Sequence, residues 1–435
     1  MRPFSASPRV VLVEDDEQAA LPVLKALAHE GIVAAWYSAQ DSESLPKEKL
    51  EDVRLLILDL DLRGASGVDV KDTAGVVTKI LAPTDESGPC IFLLWTKHPD
   101  RANDVMSAVV KYSKSTIYTD YYLIFNKSDF YQDDAFQAEK MIKDLRKGVS
   151  EFAPMDFLFN WESCCSKAGA VALNKIFNLA TLQTMNQEKD SNGHLTNMLF
   201  ELAKALGGKR ISDVDSNEKL LFLRRTLGVI HADAVRHAAE TNPDPAETSL
   251  FSRSTSNLDS ETKSIINHIL LTSPDTVGPA PGTCHPVDIN LSQWIGFKPH
   301  KEIKEYRRFL ARIFGKSYRV NKSCICDQCK MVVVDLSPPC DYAQNKLYRH
   351  RLAPALIVPL NLSDHVVSKS NYLKKIGPLR DDDSACCLVV DSLCMFTLPM
   401  GTTLPEALFR LRNHVAVDLQ AWLGAHLARP GHLSL

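Results

Sequence analysis

No apolar run in these 435 residues approaches the roughly 18–20 residues needed to cross a bilayer, so no membrane span is expected. The opening stretch, MRPFSASPRVVLVEDDE, has no apolar h-region before a small-residue cleavage site, so export is not expected and a cytoplasmic location is. A phosphate-binding Gly-rich loop, HExxH and GxSxG are all missing, and with them the usual marks of an enzyme; none is expected. Excess charge is missing too: a net charge of −3 excludes a polycation built to coat nucleic acid, though not a local basic patch. There is no internal repeat and no dominant low-complexity tract.

What is present is ordinary globular material, 45% hydrophobic and 24% charged. At about 100–200 residues per domain the length implies about two to four domains. The 11 cysteines are an odd count, and Cys324, Cys326, Cys329 and Cys340 lie in one short stretch. Without an export signal this favours reduced thiols, with a metal site, over a disulfide framework.

The first 150 residues alternate strand and helix signals. Val10–Val13, Ile32–Tyr37, Leu55–Leu58, Ile91–Trp95 and Tyr121–Phe125 read as strands. Gln18–His29, Val68–Leu81, Ala102–Tyr112 and Asp133–Val149 read as helices. Such alternation implies an α/β domain with a parallel sheet covered on both faces. From 151 to 275 the strand signals vanish, and a helical middle region is expected, with Trp161–Thr184, His194–Leu206, Asn217–Glu240 and Ser260–Leu271 helical. Thr272–Cys284, dense in Pro and Gly, marks a second boundary. Over 285–435 a basic helix (His300–Phe314), the cysteines, strand candidates Met331–Leu336, Ala355–Leu360, Leu388–Val390 and Leu393–Thr397, and a closing helix Leu404–Leu427 predict a mixed α+β domain.

Ligand sites in open parallel sheets lie at the carboxyl ends of the strands. The first strand ends in Glu14-Asp15-Asp16 and the third in Asp59, so at least three carboxylates converge in a 2-1-3-4-5 sheet. Crowded carboxylates repel unless a cation neutralises them, and Mg²⁺ suits such a partly hydrated site. The fourth strand ends at the hydroxyl of Thr96 and the fifth at Lys127, a cation within reach of Asp59.

These segments, VVLVEDDE, LLILDLDLRGASG, FLLWT and LIFNKSDF, resemble the response-regulator receiver domain of two-component signalling, with its flavodoxin-like (βα)5 fold. The resemblance implies Asp59 as phosphoacceptor, Asp15 and Asp16 as Mg²⁺ ligands with Asp59 and the backbone carbonyl of Asp61, and Thr96 and Lys127 as phosphoryl contacts. It also implies a phosphohistidine donor on a partner histidine kinase. Three positions depart from the family: Ser128 replaces the usual Pro, Ile124 the usual aromatic, and Lys97 a small residue. A long side chain at Lys97 is expected to hinder an attacking water, and Ile124 to weaken the switch to an output surface. Together they point to a receiver that holds phosphate.

Cys324, Cys326, Cys329 and Cys340 can supply four thiolates for a structural Zn²⁺, although a second CxxC is missing and Cys284 or His285 can substitute. The alternative is a set of buried inert thiols. The stretch VVVDLSPPCDYAQNK is similar to C-terminal segments of receiver-containing proteins in bacterial defence loci. With the receiver resemblance, it implies the buffer-type receiver component of the Detocs anti-phage system, a phosphate sink beside a kinase and an effector receiver protein. Lys298–Lys322 holds nine Lys/Arg and two Glu, with Tyr306, Phe309, Phe314 and Tyr318 between them. It reads as an amphipathic helix with its aromatics in the core. A response regulator whose zinc-containing C-terminal domain binds nucleic acid is the alternative.

Overall fold

Short apolar runs build a five-stranded parallel sheet. β1 (Val10–Val13), β2 (Ala34–Tyr37), β3 (Leu55–Leu58), β4 (Ile91–Thr96) and β5 (Tyr122–Asn126) pair in the order β2-β1-β3-β4-β5, the flavodoxin-like order. The structure is a computed structural model. It describes residues 8–40, 43–62, 67–184, 191–241, 258–273, 280–287, 292, 304–320, 322–338, 341–342, 347–368, 370–382, 384–399 and 401–427. The central strands are apolar in continuous runs because helices cover both faces. On one face Leu56, Leu58, Phe92 and Leu94 pack under α2 (Val70–Ile80) and α4 (Ala102–Tyr112); α3 (Thr84–Ser87) is a single turn between them. On the other, Leu12, Ile57, Leu93 and Trp95 pack under α1 (Glu17–His29) and α5 (Ala138–Glu151).

One expected helix is shorter than its charge pattern suggested. Residues 131–136 form a hairpin of β6 (Tyr131–Gln132) and β7 (Ala135–Phe136), and α5 starts only at Ala138. Asp133 and Asp134 turn the hairpin with φ of 49° and 60°. Two consecutive left-handed residues stop a helix and fit a tight hairpin, and Asp tolerates that region.

The helical stretch is α6 (Ala153–Thr184), α7 (Ser191–Gly207), α8 (Ser216–Thr241) and α9 (Ser260–Leu271). The chain divides into Met1–Leu173 with His231–Ser254, and Asn174–Ile230 with Thr255–Leu435. In the first unit Arg54 grips Glu162 of α6 through Nε and Nη2 at 2.8 and 3.1 Å, and Arg9 adds a contact at 2.8 Å. These arginines precede β3 and β1, so α6 is pinned at the end of the sheet opposite the carboxylates.

The second unit holds an antiparallel sheet, and the boundary expected over 272–284 falls inside it. Its strands are β8 (Thr272–Ser273), β9 (Thr283–Pro286), β10 (Lys330–Asp335), β11 (Arg349–Pro359), β12 (Leu373–Asp381), β13 (Ser384–Asp391), β14 (Phe396–Pro399) and β15 (Phe409–Leu411). They run β12-β13-β11-β10-β9-β15-β8, with β14 on β11. α10 (Lys304–Phe314), α11 (Ser317–Val320) and α12 (Lys322–Gln328) supply the core on one face, and α13 (Asn413–Leu427) that on the other. The strand period sorts the side chains: Cys386, Leu388 and Val390 enter one core, Cys387 and Val389 the other. The closing helix expected from Leu404 starts at Asn413, because Phe409 and Leu411 alternate into the sheet as β15. Among the described residues no helix is long and apolar enough to cross a membrane.

Candidate functional site

β1 and β3 lie side by side with Val13 opposite Leu58, so the residues that follow each strand, Glu14 and Asp59, meet at one edge. The Asp59 N–H donates to Val13 O at 2.9 Å and locks this register. Both acids are buried, 1% and 4% exposed. β4 delivers Thr96, fully buried, and the turn after β5 delivers Lys127, 8% exposed. Lys127 Nζ reaches Glu14 Oε2 at 2.6 Å and Asp59 Oδ2 at 2.9 Å. Carboxylate oxygens of Glu14, Asp15 and Asp59 lie within 4.8 Å of one another, the only such group of metal-ligating side chains among the described residues.

Burial dominates the electrostatics. It pushes the Glu14 carboxyl up to about 8, and the neighbouring Asp59 charge adds to this, against the opposing pull of Lys127. Asp59 is likewise raised by burial, with Lys127 pulling the other way. Burial depresses the Lys127 ammonium, but Asp59 and Glu14 outweigh it and hold it above its ordinary value. Three acids face one lysine, which leaves an excess of negative charge that a dication would neutralise. Hard oxygen donors of this kind fit a divalent cation such as Mg²⁺, which Glu14, Asp15 and Asp59 would hold.

The third strand's loop and the fourth strand's end close the site. The Asp61 N–H donates to Asp59 Oδ1 at 3.3 Å. Asp61 Oδ2 stands 3.9 Å from His98 Nε2, and Asp61 Oδ1 is buried without a hydrogen-bond partner. Thr96 Oγ1 accepts the His98 N–H at 2.9 Å, which leaves the threonine's own proton to donate elsewhere.

Two assignments change. Asp16, expected as a metal ligand, is the N-cap of α1: its Oδ1 accepts the Gln18 N–H at 2.9 Å. Glu14 takes its place in the cluster. Three successive acids hid the register; the deciding signal was the end of the apolar run at Val13, which makes positions 14 and 15 the first out of the strand. Lys97 is exposed, and it is His98, one residue on, that turns toward Asp61. Ile124 is 42% exposed on β5. Ser128, in the proline position, bonds through N and Oγ to Asn126 Oδ1 at 3.1 and 2.7 Å.

The cysteine cluster does not assemble among the described residues. Cys324 and Cys326 lie on α12 and Cys329 just beyond it, and all three pack into the apolar core of Met331, Leu356, Val358 and Val389. Their sulfurs do not form a metal-binding group, and Cys340 lies outside the described residues. Burial pushes the Cys329 thiol up to about 12. Cys284 and His285 offer no substitute: Cys284 is fully buried in the opposite core, and the two ring nitrogens of His285 meet Pro405 O and Thr283 Oγ1 at 2.7 and 2.9 Å. The aromatics of the basic stretch are core residues, with Tyr306, Phe309, Phe314 and Tyr318 between 1% and 7% exposed. Arg312 is held by the buried Asp391 at 3.0 Å.

A polar cluster that sequence reasoning passed over lies at the end of β10. Asp335 Oδ2 accepts Tyr342 Oη–H at 2.5 Å and stands 2.9 Å from His350 Nδ1, while Oδ1 accepts the Ser337 N–H at 2.8 Å. Asp335 is thereby fully satisfied, and with His350 1% exposed the group closes the sheet end. No protein-family model, curated protein or solved structure matches the chain.

Proposed function

We propose that the N-terminal α/β body is a receiver-type phosphoacceptor, with Asp59 taking a phosphoryl group from phosphohistidine on a partner histidine kinase. The observation that carries this reading is the Asp59 carboxylate set between Lys127, at 2.9 Å, and the acid pair Glu14 and Asp15 at the carboxyl edge of a β2-β1-β3-β4-β5 sheet. An Asp59 carboxylate oxygen attacks phosphorus, the P–N bond of the donor breaks, and its electron pair returns to the imidazole nitrogen. The product is an aspartyl phosphate. Bound Mg²⁺ would supply charge neutralisation at the phosphoryl oxygens. Lys127 offers a fixed positive charge on the same side as Asp59 Oδ2, and the Thr96 hydroxyl has a proton left to donate. No output enzyme activity forms part of the proposal.

The wider role is a phosphate sink or adaptor in bacterial anti-phage defence, acting between a kinase and a separate effector receiver. The exposed Ile124 in place of a switch aromatic supports storage over transmission. The nucleic-acid alternative is weakened because its aromatics are buried and Arg312 is committed to Asp391. The test is labelling with a small phosphodonor or kinase, hydride trapping and mass spectrometry. Labelling is expected at Asp59 alone and only with Mg²⁺. Equal labelling of Asp59→Asn overturns the assignment.

A further inference from the structure

The acid pair leaves the sheet at the end of β1, and two side chains from the end of β2 hold its backbone. β1 and β2 pair with Leu12 opposite Trp36 and Val13 opposite Tyr37. One more main-chain bond continues the ladder, from the Glu14 N–H to Tyr37 O at 3.2 Å. Beyond it the Trp36 Nε1–H donates to Glu14 O at 2.8 Å, and Gln40 Nε2 donates to Asp15 O at 3.0 Å. One residue further on, Asp16 caps α1. Both carbonyls between the ladder and the helix cap are therefore held by side chains of one neighbouring segment. Gln40 follows Ala39, which is fully buried and takes a φ of 53°, uncommon for a residue with a Cβ. Such backbone persists only where its surroundings hold it, and it gathers at functional sites.

These bonds bear on the site because of the charge it gathers. Carboxylate oxygens of Glu14, Asp15 and Asp59 lie within 4.8 Å of one another. Like charges this close push apart, and the turn at 14–15 is where the chain would yield. Donors on both of its carbonyls oppose that movement. The acids are then gathered on folding rather than on ion binding, and such preorganisation raises affinity. We propose that Trp36 and Gln40 are positioning residues that hold the Glu14–Asp15 turn in the geometry its dication needs, which makes the end of β2 a determinant of Mg²⁺ affinity. Both act through the main chain, not on the carboxylates that would meet the ion. The proposal rests on the acid pair of the acceptor reading and deepens it by naming the residues that set that pair in place.

The test uses the full chain stripped of metal, with Mg²⁺ as the probe, at a temperature where each variant is folded. Trp36→Phe keeps an aromatic against the core and removes the donor. Gln40→Met keeps the length of an exposed side chain and removes the donor, so it leaves core packing untouched. Calorimetric titration should show Mg²⁺ affinity at least about tenfold weaker in Trp36→Phe, the size of loss that a residue supporting metal ligands from behind brings. Gln40→Met should shift it in the same direction. A spectroscopic signature comes from the indole protons. The chain has five tryptophans, and the ¹⁵N–¹H indole signal lost in Trp36→Phe belongs to Trp36. In wild type that signal should move with added Mg²⁺ along the calorimetric binding curve. Mg²⁺ affinity unchanged in both variants, or a Trp36 signal unmoved at saturating Mg²⁺, overturns the proposal, even if Trp36→Phe melts at a lower temperature. The acceptor reading fails separately, on labelling of Asp59→Asn, so the two failures are distinguishable.

Discussion

Glu14 is the side chain with the sharpest electrostatic consequence. Its carboxyl ionises at about 8 in the folded, metal-free protein and near the ordinary 4.5 in the unfolded chain. Between those values the folded state binds more protons, so stability falls as pH rises through the window. Glu14→Gln should therefore raise the melting temperature of the metal-free protein at pH 8 by a few degrees and flatten its pH dependence, measured by thermal scans from pH 5 to 8. The same sign applies to cation binding: Mg²⁺ competes with the proton, so its affinity should rise with pH and the Gln variant should lose most of that slope. Lys127 works in the opposite sense. Lys127→Met leaves Glu14 and Asp59 crowded and unneutralised, and should cost about 3–5 kcal/mol in denaturant unfolding, partly recovered by millimolar Mg²⁺. Neither consequence follows from residue type alone, since both depend on burial that the chain acquires only when β1, β3 and β5 align.

Helices and strands carry a different kind of test. Gly148 lies inside α5, where propensity alone makes Ala better by about 1 kcal/mol. A Cβ there would meet Leu123 Cδ1 of β5 at 2.7 Å and Cδ2 at 2.9 Å. Gly148→Ala should consequently destabilise by about 1–3 kcal/mol in urea unfolding, with the steric term overriding propensity. The clamp on α6 gives a second case. Arg54 is mostly buried and grips Glu162 with two nitrogens. Arg54→Met should raise hydrogen exchange in the first turns of α6 while β3 and β4 stay protected. Equal exchange in both proteins would reduce the clamp to a surface ion pair. Most of these elements were legible: β1 and β3 have the expected ends, and α4 runs from Ala102 to Tyr112 as its apolar spacing predicts. The β6–β7 hairpin was not, because Asp133 and Asp134 read equally as a charged helix start until their positive φ values are seen.

The chain as a whole joins two cores of different class, a parallel sheet in one unit and an antiparallel sheet in the other. A ligand that binds only one native unit raises that unit's transition by mass action. Calorimetric unfolding with Mg²⁺ should thus raise the component that carries Trp95 and leave the component that carries Trp422 unchanged, with near-ultraviolet signals to separate them. The proposed phosphate-sink role has its own readout. In cells that carry the kinase and an effector receiver, Asp59→Asn should be toxic or growth-slowing, because phosphate no longer drained reaches the effector. Arg308→Glu, an exposed position on α10, should be nearly neutral. The reverse pattern would replace the sink with a nucleic-acid regulator. Arg312 is unsuited to that comparison, since charge reversal there would strand the buried Asp391.

Local patterning already specified the parallel sheet: continuous apolar strands can only be buried on both faces, and right-handed crossovers bring their carboxyl ends to one edge. Hence Asp59, Thr96 and Lys127 were placed from the order of strand ends. Which two of the three acids after β1 face the pocket was a question of register, answered by the pairing of Val13 with Leu58 and by the cap that Asp16 makes on α1. The thiols show the same division. Cys324, Cys326 and Cys329 are close in sequence, yet a ligand set needs sulfurs converging in space, and here the packing of α12 against β10 and β11 puts them in an apolar core. Spacing along a chain reports which side chains are near; burial and register decide which of them face water, one another, or nothing polar at all.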